Sequence, residues 1–277
     1  MDWPHRRRET RVPARRKLGR NTQRGVTDID RPTDTGELQQ LAEKLAQDYL
    51  PDGWERVGSS AFTRVAYHEQ RQLYFKQFLP RSPAESLKGK LRGSRAQRSQ
   101  RNSDQLLRVG IDAPETVLLG RLARGGEYLF SMAAPGDSIT DWLRSNPAGG
   151  GNKQRNTRRR LLRELGRFIG RVHATGFIHG DLRPGNVLAE QRADGFRFTL
   201  IDNERTRRRA PPPGRALLRN LMQLNMLPPD MLSRADRMRF FSAWRSQMRT
   251  LSAIEAKVLG SEAFHWAMRR LYEKGAL

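Results

Sequence analysis

Apolar residues recur along this chain with two periods, and the periods divide it. Between Thr35 and Leu50, Leu38, Leu41, Leu45 and Tyr49 share one face of a helix. Trp54 to Tyr67 and Gln72 to Phe78 read as paired strands, and Ala113–Gly120 and Glu127–Met132 as two more. The segment 81–109 is basic and polar and turns helical toward Leu106 and Leu107. Beyond it the helical period takes over. Ile139 to Leu143 starts a helix, and Asn146 to Thr157, with Pro147 and consecutive glycines, reads as a flexible linker. Arg158 to Thr175 carries an apolar stripe of Leu161, Leu162, Leu165, Phe168, Ile169 and Val172, and Gly176 stops it. His173, near its end, reads as a structural helix residue. Further helices are predicted over Ala216–Met226, Ser233–Met248 and Ala253–Tyr272, with N-cap chemistry at Ser233 and with Met226, Met231, Met238 and Trp244 in the core.

Strands first and helices later predict an α+β chain with a small β-rich N-lobe over residues 36–132 and a mostly helical C-lobe over 133–277. Ala133 to Ser138 would be the hinge. Residues 1–35 carry ten Lys or Arg with Pro4, Pro13 and Pro32. They read as a basic, disordered arm, either merely solvated or in contact with a membrane.

One stretch breaks both periods. Between the apolar pairs Phe177-Ile178 and Val187-Leu188 lies a short loop holding Asp181, Pro184, Gly185 and Asn186, and Asp202 closes the next apolar run, Phe198–Ile201. Asp and Asn favour turns, so either residue alone could be a cap. Three such residues in order, each beside an apolar run, suit phosphoryl transfer, which needs a carboxylate to take a hydroxyl proton and oxygen ligands for Mg²⁺. Protein kinases place these groups in H-R-D-x-x-x-x-N followed by a metal-binding Asp. Here the loop reads His179-Gly180-Asp181-x-x-x-x-Asn186, with Asp202-Asn203-Glu204 where Asp-Phe-Gly is usual. Without the Arg, control through a phosphorylated loop is not expected. In the first predicted hairpin, Gly58, Ser59 and Ser60 form a thin phosphate-covering loop, or simply a turn. Lys76 interrupts an apolar strand. A buried Lys needs an anion, and nucleotide phosphates would serve; an edge position facing water is the alternative.

Charge adds a partner class. The chain has 52 Lys plus Arg against 29 Asp plus Glu, a formal net charge of +23. Such a surface seeks polyanions: nucleic acid, an anionic membrane or a phosphorylated glycolipid. An Arg-rich composition serving only solubility is the plainer reading. Aromatics are few and no zinc finger or RNA-recognition signature is present, so no specific nucleic acid is expected. The run Arg205 to Arg209 lies just past Asp202, near where an acceptor should sit, and suits a phosphorylated acceptor or plain solvation. There is no cysteine, which excludes disulfides and Cys-ligated metals. No apolar run is long enough for a transmembrane helix, and the N-terminus lacks a secretory h-region.

The motifs His179-Gly-Asp-Leu-Arg-Pro-Gly-Asn-Val-Leu188 and Leu200-Ile-Asp-Asn-Glu-Arg205 resemble the lipopolysaccharide core kinases, the Kdo/WaaP type of the protein-kinase-like superfamily. Arg219-Asn-Leu-Met-Gln-Leu224 and Ser233-Arg-Ala-Asp-Arg-Met-Arg-Phe240 look like that family too, and the likeness spans roughly residues 55–250. The resemblance implies a two-lobed protein-kinase-like fold and an ATP- and Mg²⁺-dependent kinase on the cytoplasmic face of the inner membrane of a Gram-negative bacterium. Its acceptor would be a heptose or Kdo hydroxyl of the lipopolysaccharide inner core. It makes Asp181 the base, Asn186 and Asp202 the metal ligands and Lys76 the phosphate contact, with Gly58 and Ser59 over the nucleotide. One departure stands out. Kinases pair the strand lysine with a helix glutamate, and the matching helix, Ser94 to Arg108, has no Glu and only Asp104. Lys76 would then use another acid, such as Glu69 or Glu85, or the chain would be a pseudokinase that binds an anionic surface.

Overall fold

A computed structural model describes residues 34–80, 93–212 and 214–276. The basic arm, except Asp34 and Thr35, and Glu85 lie outside the described residues.

The N-lobe is an antiparallel sheet in the order β1-β2-β3-β5-β4, from Trp54–Val57, Thr63–His68, Leu73–Phe78, Thr116–Arg121 and Glu127–Met132 as β1 to β5. Strand period 2 gives β3 two characters. Leu73 and Phe75 enter a core with Ala66, Trp54, Tyr128, Phe130 and the buried face of α1, Thr35–Ala46. Lys76 and Phe78 belong to the other face, where Lys76 lies opposite Leu129 and Phe78 packs on Leu129 and Ala96. Ala96 belongs to α2, Arg95–Arg108, which a Ser94/Gln97 capping box starts.

The C-lobe begins with β6, Asp137–Ser138, and α3, Ile139–Ser145. Helix α4, Asn152–Ala174, is its axis. The stripe foreseen for it is buried against β8, Val187–Gln191, and β9, Phe196–Leu200, and against the later helices α5, Gly214–Leu224, α6, Arg234–Arg245, and α7, Ala253–Tyr272. A Cβ on Gly166 would lie 2.3 Å from the carbonyl oxygen of Phe240, and one on Gly170 would lie 2.6 Å from Gln247 Cβ. Two glycines one turn apart thus let the α4 backbone lie against the backbone of α6 and against Gln247 just past it. β7, Phe177–Ile178, pairs antiparallel with β10, Arg207–Arg208.

Several sequence expectations shift. Helix α1 stops at Ala46, and Tyr49 is 61% exposed rather than on the apolar face. Leu50 precedes Pro51, which disfavours helix there, and Asp48 already has φ +66°. The linker is shorter than its composition suggests, because α4 begins at Asn152 with Gly151 as N-cap. Its first turns are solvent-facing and polar, so no apolar period betrays them. Met226 and Met231 pack at the core margin and Trp244 is fully buried, but Met238 is 59% exposed on the outer face of α6.

Candidate functional site

Lys76 reaches across the interlobe cleft. Its Nζ donates to Oδ1 of Asp202 at 2.6 Å, with 22% of the lysine and 39% of the aspartate side chain exposed. Among the described residues the acid that meets Lys76 is therefore Asp202 rather than Glu69; Glu85 lies outside them. Glu69 sits exposed at the tip of the β2–β3 hairpin. Burial pushes the Asp202 carboxyl upward, but the Lys76 ammonium and its hydrogen bond outweigh this, and the net shift is down. Asp202 also adopts a left-handed backbone, φ 61° and ψ 50°. Asp tolerates this better than most residues, yet such a conformation usually persists where surroundings enforce it.

The loop between β7 and β8 is held from below. His179 is buried, and its Nδ1 accepts from the Asp181 amide at 3.1 Å. Its Nε2 therefore carries the proton and donates to the Ile201 carbonyl at 3.0 Å. Burial lowers its pKa against the pull of that bond and of Asp202 and Asp181, so the ring stays neutral. Asn220, one residue inside a buried polar patch of α5, donates to the His179 carbonyl at 2.6 Å and accepts from the His179 amide at 3.1 Å. Gln223, one turn on, accepts from the Leu182 amide at 3.1 Å and lies 3.5 Å from Asp181 Oδ1. The loop backbone is thus fixed by side chains spaced i, i+3 on one helix.

On this base Asp181 presents its carboxylate. Arg183 Nε donates to Oδ1 at 2.8 Å, and no donor among the described residues reaches Oδ2. Asn186 turns its amide nitrogen to the Asp181 carbonyl at 2.8 Å, which leaves its side-chain oxygen for another partner. The Ile201 amide donates to the Asn186 carbonyl at 3.0 Å, setting Asn186 beside the strand exit that leads to Asp202. Hydrogen bonds thus join Asp181 to Asn186, Asn186 to Ile201 and Asp202 to Lys76, and the Ile201–Asp202 peptide bond connects the two halves. The donor set facing the cleft is all oxygen, one carboxylate and one amide carbonyl. Such a set fits Mg²⁺, which keeps waters and phosphates as its remaining ligands.

Gly180 has a steric reason. A Cβ there would lie 2.1 Å from Arg205 Cβ and 2.6 Å from the Arg205 carbonyl oxygen. Glu204 answers the absent helix glutamate in reverse. Helix α2 contributes Arg95, whose Nε and Nη2 donate to Glu204 Oε2 at 3.1 and 3.0 Å, both residues being almost fully buried. Asn102 and Ser103 of α2 add bonds to the Asn203 carbonyl at 2.8 Å and from the Asn203 amide at 3.1 Å. Gly58 and Ser59 lie in the exposed β1–β2 loop, where Ser59 Oγ donates to the Thr63 carbonyl at 2.7 Å and so closes its own hairpin. Among the residues singled out from sequence, Lys76, Asp181, Asn186 and Asp202 come together here; Gly58 and Ser59 stay in the exposed β1–β2 loop, with no bond to those four among the described residues. Sequence reasoning missed Arg95, Glu204 and Gln223 as site supports. Arg95 and Gln223 look like solvated helix positions in the sequence, and nothing there marked them.

The flank of the site is basic. Arg207, Arg208 and Arg209 are exposed on the β10 segment, and the Arg208 guanidinium stands 5.3 Å from the Phe177 ring. Arg207 pairs with Ile178, which places it across the ribbon from the start of the Asp181 loop.

With this geometry in view, comparison with known proteins is informative. A solved structure of WaaP in complex with acyl carrier protein aligns over 79% of this chain and 88% of that one, with a TM-score of 0.57 and 18% identity, which speaks to the fold. An aminoglycoside phosphotransferase from Streptomyces rimosus aligns over 83% of this chain and 98% of its own, at 15% identity and a TM-score of 0.47. Among curated proteins, CBL-interacting protein kinase 22 of Oryza sativa subsp. japonica is 33% identical over 96 residues. That match takes in 34% of this chain, which spans only 21% of the relative's length. The family description "Lipopolysaccharide kinase (Kdo/WaaP) family" matches residues 43–244. The chain has the two-lobed, α+β protein-kinase-like fold and belongs to the lipopolysaccharide kinase (Kdo/WaaP) family.

Proposed function

We propose that this chain is an ATP- and Mg²⁺-dependent kinase that phosphorylates a heptose or Kdo hydroxyl of the lipopolysaccharide inner core. The observation that carries this reading is the juxtaposition of two bonded pairs, Lys76 with Asp202 and Asp181 with Asn186, joined where the Asn186 carbonyl accepts from the amide of Ile201, the residue before Asp202. Asp181 Oδ2 takes the proton of the sugar hydroxyl, whose oxygen then bonds the transferred phosphorus as the bond to the leaving nucleoside diphosphate breaks. Arg183 holds Oδ1 of the Asp181 carboxylate and so orients the group. Lys76 exchanges Asp202 for nucleotide phosphate, and Asn186 and Asp202 hold the metal. Mg²⁺, when bound, neutralises the phosphate charge that builds up in transfer. Gly58 and Ser59 cover the nucleotide. Arg205 to Arg209 receive the anionic part of the acceptor, on the cytoplasmic face of the inner membrane of a Gram-negative cell. No helix of the described residues is long and apolar enough to cross a membrane, so contact would be peripheral.

The test is transfer of labelled phosphate from ATP with Mg²⁺ to dephosphorylated lipopolysaccharide core. Wild type should label the glycolipid. Asp181→Ala and Asp202→Ala should each lose on the order of 10³-fold in kcat while keeping the wild-type melting temperature within a few degrees. Near-normal transfer by Asp181→Ala would sink the assignment.

A further inference from the structure

Resting on that reading of the cleft, we propose that Arg95 is the positioning residue of the nucleotide site, tying helix α2, the phosphate-covering hairpin and the metal-binding segment together through one buried guanidinium. Four hydrogen bonds support it. Two go to Glu204, two residues past Asp202. Nη1 donates to the Phe62 carbonyl at 3.0 Å, just beyond the Gly58–Ser60 loop, and to the Leu79 carbonyl at 3.1 Å, three residues past Lys76. The guanidinium also stands 5.2 Å from the Phe78 ring, whose centroid is 5.3 Å from Lys76 Nζ.

The arrangement reverses the usual polarity. In kinases a helix carboxylate meets the strand lysine directly, and helix position controls that bond. Here the helix carries the cation and the metal segment carries the acid. The helix thus touches Lys76 only indirectly, by fixing Asp202 where Lys76 finds it. A fork with fixed geometry suits this task, since it holds the carboxylate with two bonds and two carbonyls besides, four bonds where an ammonium has three donors. Asn102 and Ser103 continue the same buried helix face along Asn203. The helix is therefore bound to the metal segment at Arg95 and again at Asn102 and Ser103.

Two full-length variants test this. Arg95→Met with Glu204→Met removes both buried charges together, a change that often leaves stability intact. Arg95→Lys keeps the charge and loses the fork. Binding of Mg²⁺-ATP is measured by calorimetry, and KM for ATP, KM for the acceptor, kcat and melting temperature are measured beside it. Loss of a support behind the ligands costs about 10–100-fold in such sites. The positioning role therefore predicts ATP affinity at least about tenfold weaker and kcat lower, with the acceptor KM unchanged. A merely structural role would lower the melting temperature and the active fraction, so kcat would fall while both KM values stayed fixed. ATP binding within twofold of wild type in a folded variant, Arg95→Lys serving if the double variant does not fold, overturns the proposal and leaves the kinase reading intact. If wild type itself binds no nucleotide, the kinase reading fails and the positioning role fails with it.

Discussion

At Gly180 one missing side chain decides how the Asp181 loop packs. The Arg205 backbone and Cβ occupy the space where any larger residue would begin. The obstruction is main chain, so no rotamer change relieves it, and overpacking of this kind costs about 1–3 kcal/mol. Gly180→Ala should therefore lower the melting temperature by several degrees, at roughly 2–4 °C per kcal/mol for a chain of this size. Because the displaced atoms lie between Asp181 and the Asn203–Arg205 turn, kcat should fall more than stability alone explains. Melting curves and initial rates on the same preparation check this; unchanged values for both would show that the loop can give way. The same residue illustrates what a motif conveys. Gly180 in place of Arg was visible in the sequence, and it argued against a phosphorylated-loop switch. Its physical cause, an arginine twenty-five residues later seated against it, was not.

The elements behind the catalytic loop meet at a second buried imidazole. His173 of α4 is fully buried, accepts at Nδ1 from Trp244 Nε1 of α6 at 3.0 Å, and donates from Nε2 to Asn220 of α5 at 3.2 Å. Burial holds its pKa down at about 4, against an ordinary 6.5, with the Asn220 bond opposing only in part. The folded chain thus keeps it neutral where the unfolded chain would protonate it, and acid favours unfolding. This contribution is complete above pH 6.5 and disappears as the pH falls toward about 4. At about 1.4 kcal/mol per pH unit, it amounts to about 3 kcal/mol. His179 shifts the same way for the same reason and adds to the slope. His173→Gln, which can still accept from Trp244 and donate to Asn220, should lose less melting temperature than wild type between pH 7.5 and 4.5. Parallel losses would show that His173 does not titrate on unfolding in this window. Here sequence reading went as far as periodicity allows. The apolar stripe of α4 marked His173 as structural, and β3 marked Lys76 as facing something anionic. What periodicity could not show was partnership. Arg95, Asn102 and Ser103 form a buried polar face on α2 that looks, residue by residue, like a solvated helix. Only the Asp202–Glu204 segment, a hundred residues on, makes that face an interior one.

For the whole molecule the decisive quantity is the imbalance of 52 basic against 29 acidic residues. Most of that charge can raise the local concentration of any polyanion, but only arginines near Asp181 can distinguish an acceptor from a bystander. Several arginines have taken on internal work: Arg95 pairs with Glu204, Arg183 with Asp181 and, away from the site, Arg158 with Asp236. Arg207 and Arg209 are different, being exposed on the ribbon that carries the catalytic loop. Reversing both, Arg207→Glu with Arg209→Glu, removes the attraction where an anionic acceptor would approach and leaves the Lys76–Asp202 arrangement untouched. Fields of this kind change association by about tenfold or more, and added salt screens them. The acceptor KM should therefore rise by about tenfold in the double variant at low salt, with the ATP KM within twofold. Raising sodium chloride should increase the wild-type acceptor KM steeply and the variant's weakly, so that the two converge. A variant whose acceptor KM equals wild type at every salt concentration would show that the arginines beside the site are a solvated face, and that acceptor charge is read elsewhere on the molecule.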